Sequence, residues 1–427
     1  MKIVSSTDAR FSRVLTQVCR RSVTHHSKTN KTVKRILQSV ERGGDAAVAR
    51  FVNKFDGIRL RPEDFLVSRA DIQQAYAEVG KAELQALRFA TRRIRAFHQR
   101  QKAKTWVCLE NGVRLGQVIA PLDAVGLYVP GGKALYPSTV LMNAIPAKVA
   151  GVTRVVMCSP TSTGKIHPYL LVAADIAGVD EIYRVGGVQA IGAMAYGTQN
   201  IPRVDKIVGP GNMYVAAAKR EVYGILDIDM IAGPSELLIL ADQTADPAYC
   251  AADLLCEAEH DQDAQVYLVT ASMRMAKAVV AQVHKELKTL TRKDIATHSV
   301  NRYAVAFVVP DMDQAAELAN AIAPEHLELQ VDRPFEYVKK IRHAGAIFLG
   351  KYTPPAVADY VAGPNHVLPT GGSARFFSAL SLEDFVKRTN LIAFNKKQLR
   401  AVKPYVTRLA GMEGFQAHAR SIESRDL

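Results

Sequence analysis

Two short segments of the chain each combine a carboxylate with an imidazole. In the first, Glu257 and His260 stand three positions apart in a stretch with helical periodicity, so both face the same side of a helix. A carboxylate and an imidazole on one face form half of a metal site, because both are common ligands of transition metals. Pairs with this spacing are also common on helix surfaces, where they bind nothing. The spacing alone leaves both interpretations open.

Glu325 and His326 form the second segment, which lies between a helical stretch and a β-branched run. Histidine titrates near neutral pH, so an adjacent acid and base at the mouth of a strand suit proton transfer. The other interpretation is that Pro324 ends the helix and that two exposed polar residues follow it. From spacing alone, this segment is a hypothesis for an acid–base pair.

Three further side chains lie near the end of the chain. Asp359 precedes a segment, 363–372, that is rich in loop-forming residues and contains His366. Long loops in compact enzymes often carry functional residues, although Asp359 is equally suited to cap a helix or turn. His418 lies on the last helical stretch, remote in sequence from the other groups, and its position alone favours a surface histidine.

The elements that must position these residues change character at residue 124, where short β-branched runs begin to alternate with helical stretches. This alternation is typical of parallel sheets that are covered on both faces. Two series, 124–235 and 236–350, predict two α/β lobes. The predicted strands are 125–129, 152–158, 181–185, 206–208, 237–241, 266–270, 304–309, 327–331 and 346–349.

Helical patterns flank these lobes on both sides. A helix is predicted at 31–52, broken by two adjacent glycines, and a second long helix at 69–102. After Ser381 the pattern is only helical, which fits either a tail packed on a neighbouring subunit or a closing helix on its own lobe. The sequence therefore predicts a helical N-terminal region and a helical C-terminal tail.

Glycine-rich turns follow three strands of the first series, at 128–132, 185–187 and 208–212. Ligands bind at the carboxyl ends of parallel strands, where helix N-termini offer N–H groups to phosphate. Ordinary strand-to-helix turns also need glycine, so both interpretations stay open. Tyr214 occupies the place of the third glycine in the last turn, which excludes the usual dinucleotide fingerprint.

The hydrophobic fraction and the net charge indicate which class of protein this chain belongs to. The 427 residues are 48% hydrophobic, enough for two or three folded cores. Lys and Arg number 55 and Asp and Glu 41, for a net charge of +14. Because the basic residues are spread along the chain, we expect a positive field that attracts a dinucleotide rather than a nucleic-acid surface.

Cysteine spacing and hydropathy bear on the location of the protein. The five cysteines show no paired spacing, which favours a reducing compartment without a disulfide framework. No apolar run approaches the roughly 20 residues needed to span a bilayer. We therefore expect a cytoplasmic protein that binds neither membrane nor nucleic acid.

The ordered motifs resemble the histidinol dehydrogenase family from about residue 32 to the C-terminus. The matching motifs are 126–132, 137–142, 185–191, 206–212, 232–236, 258–260, 324–327 and 365–372. The resemblance implies a zinc-dependent, four-electron oxidation of L-histidinol to L-histidine through the aldehyde, with two NAD, as the last step of histidine biosynthesis. A dehydrogenase with the same fold that acts on another amino alcohol or a polyol is the alternative.

The resemblance also implies a homodimer with shared active sites and two incomplete Rossmann-like lobes with mainly parallel sheets. The domains expected from it are an N-terminal arm (1–24), a first α/β lobe with the metal and acid–base residues (25–126 and 236–380), a second, NAD-binding lobe (127–235) and a helical tail that reaches the partner subunit (381–427).

The same resemblance assigns roles to individual positions. The metal ligands, for one Zn²⁺ per subunit, are Glu257, His260, Asp359 and His418 of the partner subunit. Glu325 and His326 match the acid–base pair, with His326 as the base in both oxidations and Glu325 as the group that activates water. The NAD contacts are Tyr128, Gln189 and Asn212. The substrate contacts are Ser235, His366 and Glu413, together with the metal and acid–base residues.

One position departs from the family pattern. Family members usually carry glutamine at the first metal position, where this chain has Glu257. A carboxylate keeps an oxygen ligand but removes about one unit of positive charge from the site. We expect the metal to be held more tightly and the substrate to be polarised less. A non-catalytic nucleotide- or nucleic-acid-binding protein is a third hypothesis, which only the net charge favours.

Overall fold

The computed structural model describes residues 1–21, 27–131, 135–231 and 233–425. Part of the predicted N-terminal arm and the motif residues Gly132 and Ala232 lie outside the described residues. In chain order the strands are β1 (Lys2–Ser5), β2 (Trp106–Glu110), β3 (Val113–Pro121), β4 (Ala124–Tyr128), β5 (Arg154–Cys158), β6 (Glu181–Tyr183), β7 (Lys206–Val208), β8 (Asp227–Ile228), β9 (Glu236–Ala241), β10 (Gln265–Thr270), β11 (Val305–Val308), β12 (His326–Gln330), β13 (Ala346–Leu349) and β14 (Val386–Ala393).

Helices connect and cover these strands. They are α1 (Phe11–Cys19), α2 (Ser27–Asp56), α3 (Arg69–Glu78), α4 (Lys81–Gln99), α5 (Pro137–Ala150), α6 (Pro168–Ala177), α7 (Gly187–Tyr196), α8 (Met213–Val222), α9 (Pro247–Ala258), α10 (Met273–Glu286), α11 (Lys293–Arg302), α12 (Met312–Ile322), α13 (Pro334–Val338), α14 (Pro355–Tyr360), α15 (Lys396–Met412) and α16 (Gln416–Glu423). None of the described helices is both long and apolar enough to cross a membrane.

Two parallel sheets form the body of the molecule. The larger has the strand order β1-β11-β10-β9-β12-β13, and the smaller has the order β6-β5-β4-β7-β8. All the strand pairs in both sheets are parallel. After its first residue, β9 is a continuous apolar run. Every residue of the strand is buried, as expected for a parallel strand that is covered on both faces. The mixed α/β fold with mainly parallel sheets is confirmed, as are all the strands predicted between residues 124 and 349.

The predicted break in the first long helix is also present. Gly44 interrupts α2 with a φ of 51°, a conformation that glycine adopts without a steric penalty. The predicted helix at 69–102 is wrong in one respect, because it is two helices, α3 and α4. Val79 and Gly80 between them are extended, and Ser68 and Asp71 cap the start of α3 with reciprocal hydrogen bonds.

A third sheet was not predicted from the sequence. It is antiparallel, with the order β14-β3-β2. Its hairpin turns at Asn111 and Gly112, both with positive φ, the residue pair that favours a tight hairpin turn. The prediction that the chain is only helical after Ser381 is therefore wrong for β14, which finds its hydrogen-bond partner in β3. Helices α15 and α16 then form the helical C-terminal region.

The packing of the N-terminal helices bears on the predicted domains. Residues of α2 share a core with β4 to β7 of the smaller sheet, and residues of α3 and α4 pack with α5 and α6. In contrast, β1 is an edge strand of the larger sheet. The predicted division into four domains stays a prediction, but this packing favours grouping α2 to α4 with the smaller sheet.

Candidate active site

A cleft of about 1750 Å³ lies between the two parallel sheets. One wall comes from the carboxyl ends of strands in the smaller sheet, including Tyr128 and Gly209. The opposite wall comes from the amino ends of β9 and β12 in the larger sheet, where Ser235 and His326 lie. The predicted site residues that line this cleft are Tyr128, Gln189, Asn212, Ser235, Glu257, His260, Glu325, His326, Asp359 and His366.

Backbone turns form the wall on the smaller sheet. The Gly187 amide donates a hydrogen bond of 3.0 Å to the Tyr128 hydroxyl, which joins the turns after β4 and β6. Gly209 has a φ of 108°, and a Cβ there would lie 2.2 Å from the Tyr128 carbonyl oxygen. The turns therefore approach each other so closely that only glycine fits at this position.

Two amide side chains lie on the same wall. Asn212 caps α8, since its Oδ1 accepts hydrogen bonds from the Tyr214 and Val215 amides at 3.0 and 3.1 Å. Gln189 is 1% exposed, and both polar atoms of its amide have no hydrogen-bond partner among the described residues. Because an unpaired buried amide costs about 1–3 kcal/mol, Gln189 fits a wall that binds a polar ligand such as a dinucleotide.

A buried ion pair supports the turn after β7. Lys219 Nζ contacts the Asp229 carboxylate and also donates to the Gly209 carbonyl at 2.9 Å. Asp229 Oδ2 accepts from the Gly209 amide at 2.8 Å. The pair therefore holds both polar groups of the Gly209 backbone, and its charges balance each other inside the fold.

Charged side chains form the wall on the larger sheet. Glu257, near the C-terminal end of α9, accepts a hydrogen bond of 3.0 Å from His260 Nδ1. The two side chains therefore meet as predicted, but His260 lies in the turn after α9 and not on the helix itself. The other carboxylate oxygen of Glu257 lies 3.6 Å from His326 Nδ1, so α9 and β12 bring the two sequence-predicted pairs together.

The backbone of Glu236 holds the acid–base pair. Its amide donates to Glu325 Oε2 at 2.8 Å, and its carbonyl oxygen lies 3.0 Å from His326 Nδ1. A carbonyl oxygen only accepts, so Nδ1 carries the proton and Nε2 of the neutral ring has the free lone pair. His326 is buried and has the geometry of a base that acts through Nε2.

Burial and the neighbouring charges shift the pKa values of the acidic groups. Burial, and then the charge of Glu257, raises the pKa of Glu325 well above its usual value. Burial alone would raise the pKa of Glu257, but His326 and His260 outweigh it and lower the pKa. Burial is also the main reason that the pKa of Asp359 is raised. Within this cluster Glu257 is therefore a stronger acid than Glu325.

The donor set fits a divalent metal. The described residues contain one group with ligand atoms within 4.8 Å of one another, formed by Glu257, Glu325 and His326. His260 extends this group through its hydrogen bond to Glu257, and the charge of Asp359 acts on the pKa of His260. Several carboxyl groups and two imidazoles in one cluster, with the His260 ring partly open to solvent, are ligands that suit zinc, and a cation there would offset the negative charge.

His366 joins the loop 363–372 to the cluster. Its Nδ1 donates to the Asp359 carbonyl at 3.0 Å, and its Nε2 lies 3.3 Å from the Thr139 hydroxyl. Burial lowers the pKa of His366 to about 4, so the ring is neutral at neutral pH. A neutral imidazole at the edge of the cleft is suited to hydrogen-bond a polar substrate.

Two predicted site residues lie elsewhere. Glu413 follows α15 and His418 lies on α16, and both are exposed. Neither is among the described residues that line the cleft of this chain. The fold of one chain therefore does not bring them to the other ten.

The sequence reasoning missed two residues at the site, Arg21 and Glu236. Glu236 stands next to Ser235 in a matched motif, and this adjacency was a signal that it contacts the acid–base pair. Arg21 reaches Glu236 across 215 positions of sequence, and no spacing pattern marks it. The side chains of Arg21 and Glu236 are only 3% and 1% exposed.

Comparisons with known proteins identify the family of this chain. The family model "Histidinol dehydrogenase" matches residues 19–426. A histidinol dehydrogenase of Bacillus cereus is 50% identical over 396 residues, 92% of each chain. One of Syntrophotalea carbinolica is 48% identical over 426 residues, 100% of this chain and 99% of the relative.

A solved structure shows the same fold. The histidinol dehydrogenase of Elizabethkingia anophelis superposes with a TM-score of 0.94 at 36% identity, over 100% of this chain and 98% of the other. The family match spans the smaller sheet, every strand of the larger sheet except β1, the cleft between the sheets and the C-terminal helices. The chain belongs to the histidinol dehydrogenase family of oxidoreductases.

Proposed function

We propose that this protein oxidises L-histidinol to L-histidine through the aldehyde, with two molecules of NAD, as the last step of histidine biosynthesis. The observation that carries the proposal is the cleft, in which a buried acid–base pair faces glycine-rich turns suited to a dinucleotide. The unpaired cysteines fit a reducing compartment, and we place the reaction in the cytoplasm.

In the first oxidation, His326 Nε2 takes the hydroxyl proton of histidinol. NAD, which Tyr128, Gln189 and Asn212 would hold, would accept the hydride of the carbinol carbon, so that the products would be the aldehyde and NADH. His326 is suited to this step because its Nδ1 is held by the Glu236 carbonyl, which leaves Nε2 to accept the proton.

In the second oxidation, water adds to the aldehyde carbon to form a hydrate. Glu325, once ionised, takes a proton from the attacking water. The raised pKa of Glu325 makes its carboxylate a stronger base than an exposed one. Because Glu325 has taken one proton, the adduct is the anion of the hydrate. His326, which has released its first proton to solvent, takes the remaining hydroxyl proton, and a second NAD, when bound, would accept the hydride, which leaves the carboxylate of histidine. Two hydrides leave in total, which accounts for the four electrons.

Four side chains would hold one Zn²⁺ per subunit: Glu257, His260, Asp359 and His418 of the partner subunit. When bound, the metal supplies Lewis-acid binding of the substrate's imidazole and amine, which orients the carbinol against nicotinamide. The substrate contacts would be these ligands, the acid–base pair, Ser235, His366 and Glu413. Tyr128, Gln189 and Asn212 would contact NAD.

We infer a homodimer with shared sites, and the positions of Glu413 and His418 support it. Both are exposed and away from the cleft of their own chain, so the C-terminal helices would place them in the cleft of the partner. Mixing inactive His418→Ala and His326→Ala subunits tests this. Hybrids should regain activity, since one site per dimer is then intact. Hybrids that form but never regain activity contradict the shared site.

NADH absorbance tests the reaction itself. Purified protein with zinc should form two NADH for each L-histidinol, and a chelator should remove the activity in proportion to the zinc lost. The same assay with other amino alcohols and polyols is the control for substrate. Activity on one of these, without activity on histidinol, would replace the proposed substrate. No activity on any alcohol, with salt-sensitive DNA binding, would replace the enzyme by a nucleic-acid-binding protein.

A further inference from the structure

Glu236 has four polar contacts with the segments around the acid–base pair. Its main chain binds Glu325 and His326, as described above. One oxygen of its side chain accepts from the Gly371 amide at 2.9 Å, at the end of the loop that carries His366. Its side chain also binds Arg21. Movement of Glu236 would therefore displace both members of the pair and the loop beside them.

Arg21 completes this arrangement from the N-terminal region. Its Nε and Nη2 donate to the two carboxylate oxygens of Glu236, both at 2.6 Å, so the pair is bidentate. Nη1 also donates to the Ile322 carbonyl at 2.9 Å, and Nη2 lies 3.4 Å from the Ala323 carbonyl. These carbonyls belong to the turn that leads directly into Glu325. One guanidinium thus fixes both segments between which the acid–base pair lies.

The chain has a strained backbone at the same point. Ala323 has a φ of 51°, a backbone conformation that residues other than glycine rarely adopt. Such strain costs about 1–3 kcal/mol and persists when surrounding contacts hold the residue in place. The hydrogen bonds of Arg21 to residues 322 and 323 are contacts of this kind.

We propose that Arg21 and Glu236 are positioning residues that hold His326 in the tautomer with Nδ1 protonated and set the place of Glu325. The proposal rests on the proposed function for the role of that pair. Neither residue is assigned to touch the substrate; each acts through the backbone that binds the two groups that do.

The first test is substitution of Arg21. Arg21→Ala should lower kcat about 100-fold, because small displacements of reacting groups have effects of that size. The KM for NAD should change by less than about threefold, since the nucleotide wall lies on the other sheet. Guanidinium at a non-denaturing concentration should restore at least about a tenth of the lost activity, because it can occupy the vacated position.

Conservative and matched variants separate positioning from folding. Arg21→Lys keeps the charge but not the bidentate geometry, so it should retain less activity than wild type and gain nothing from guanidinium. The control is Arg10→Ala, which removes an exposed pair with Asp8 in the same N-terminal region and should leave kcat unchanged. An unchanged kcat in folded Arg21→Ala would overturn the proposal, as would an equal loss in Arg10→Ala.

A readout independent of histidinol distinguishes this proposal from the proposed function. Nitrogen-15 spectra of the His326 ring, assigned by loss of the signal in His326→Gln, report which ring nitrogen carries the proton. Wild type should show Nδ1 protonated, and Arg21→Ala should show a mixture of tautomers. Identical ring spectra in the two proteins would overturn the positioning role, even if histidinol is oxidised. Altered spectra in a protein that does not oxidise histidinol would uphold the positioning role and reject the proposed function.

Discussion

The two walls of the cleft are built by different means. The wall on the smaller sheet is formed by the carboxyl ends of strands, where glycine turns and the amide of Gln189 present few charges to the cleft. The wall on the larger sheet is formed by the amino ends of β9 and β12, with carboxylates and imidazoles in contact. The first is suited to bind a nucleotide through its backbone, and the second to move protons.

The two walls also differ in how their buried charges are balanced. The ion pair of Lys219 and Asp229 balances its own charge beneath a turn. On the other wall, Glu257 and Glu325 are buried close together, and the pKa of Glu325 is raised as a result. A buried ion pair whose charges balance holds the turn above it in one conformation. A cluster with an excess of acidic groups instead forms a site that binds a proton or a cation. Substitutions on each wall test this division of roles.

The largest expected effect is on the charged wall. His326→Gln should lower kcat about 10²- to 10⁴-fold, the usual contribution of a general base. The KM for NAD should change little, because the nucleotide wall is intact. Steady-state rates of NADH formation measure both constants. His298→Gln, an exposed histidine on α11, is the control. A loss smaller than about tenfold in His326→Gln would contradict the role of His326 as the base.

The corresponding change on the nucleotide wall is Gly209→Ala. The new Cβ would clash with the Tyr128 carbonyl, so the turn must move, and the KM for NAD should rise about tenfold or more with a smaller change in kcat. Gly224→Ala is a matched control, because Gly224 also has a positive φ (99°) but open space around it. Both variants should lose about 1 kcal/mol or more of unfolding free energy. An unchanged KM in Gly209→Ala would show that this turn does not bind NAD.

A smaller effect is expected at the metal position that departs from the family. Glu257→Gln removes a negative charge, so zinc affinity should fall about tenfold, or 1.4 kcal/mol. The rate of the zinc-saturated variant should rise a few-fold, because the metal then polarises the substrate more strongly. Bound zinc and kcat are measured together, with Glu259→Gln as the control. If both are unchanged, the carboxylate of Glu257 has no part in tuning the metal.

The smallest effect concerns stability away from the cleft. Burial, and then Asp253, raises the pKa of Glu328 from 4.5 to about 9. The folded protein therefore binds this proton more tightly than the unfolded chain, and the free energy of unfolding falls as pH rises from 4.5 to 9.

Glu328→Gln removes this dependence on pH. The difference between the Tm of Glu328→Gln and the Tm of wild type should increase in favour of the variant by about 2–4 °C between pH 6 and pH 9. Thermal unfolding at several pH values measures this difference. Glu336→Gln on α13 changes an exposed carboxylate and should show no such gain. A constant difference in Tm across this range would mean that Glu328 is already ionised in the folded protein.

Nine of the eleven strands of the parallel sheets were predicted, because buried strands form apolar runs in the sequence, whereas the short strands β1 and β8 were not predicted. The hairpin of β2 and β3 was missed because every residue of β2 is exposed, so that strand has no buried face to give an alternating pattern. Adjacent residues such as Glu325 and His326 were recognised from the sequence. Arg21 was not, because its contact with Glu236 depends on how distant segments pack. Local patterns predict elements and motifs, but the contacts between them depend on the tertiary fold.

The pairing of β1 with β11 has a consequence for synthesis. Lys2 lies beside Val305, so the edge of the larger sheet closes only after about 300 further residues have left the ribosome. At about 5–20 residues per second, the first strand waits roughly 15 to 60 s for its partner. Arg21 is synthesised 215 residues before Glu236, so its carboxylate partner follows after roughly 11 to 43 s at the same rate. The smaller sheet, whose strands lie between residues 124 and 228, can fold before that, and the charged wall is completed last.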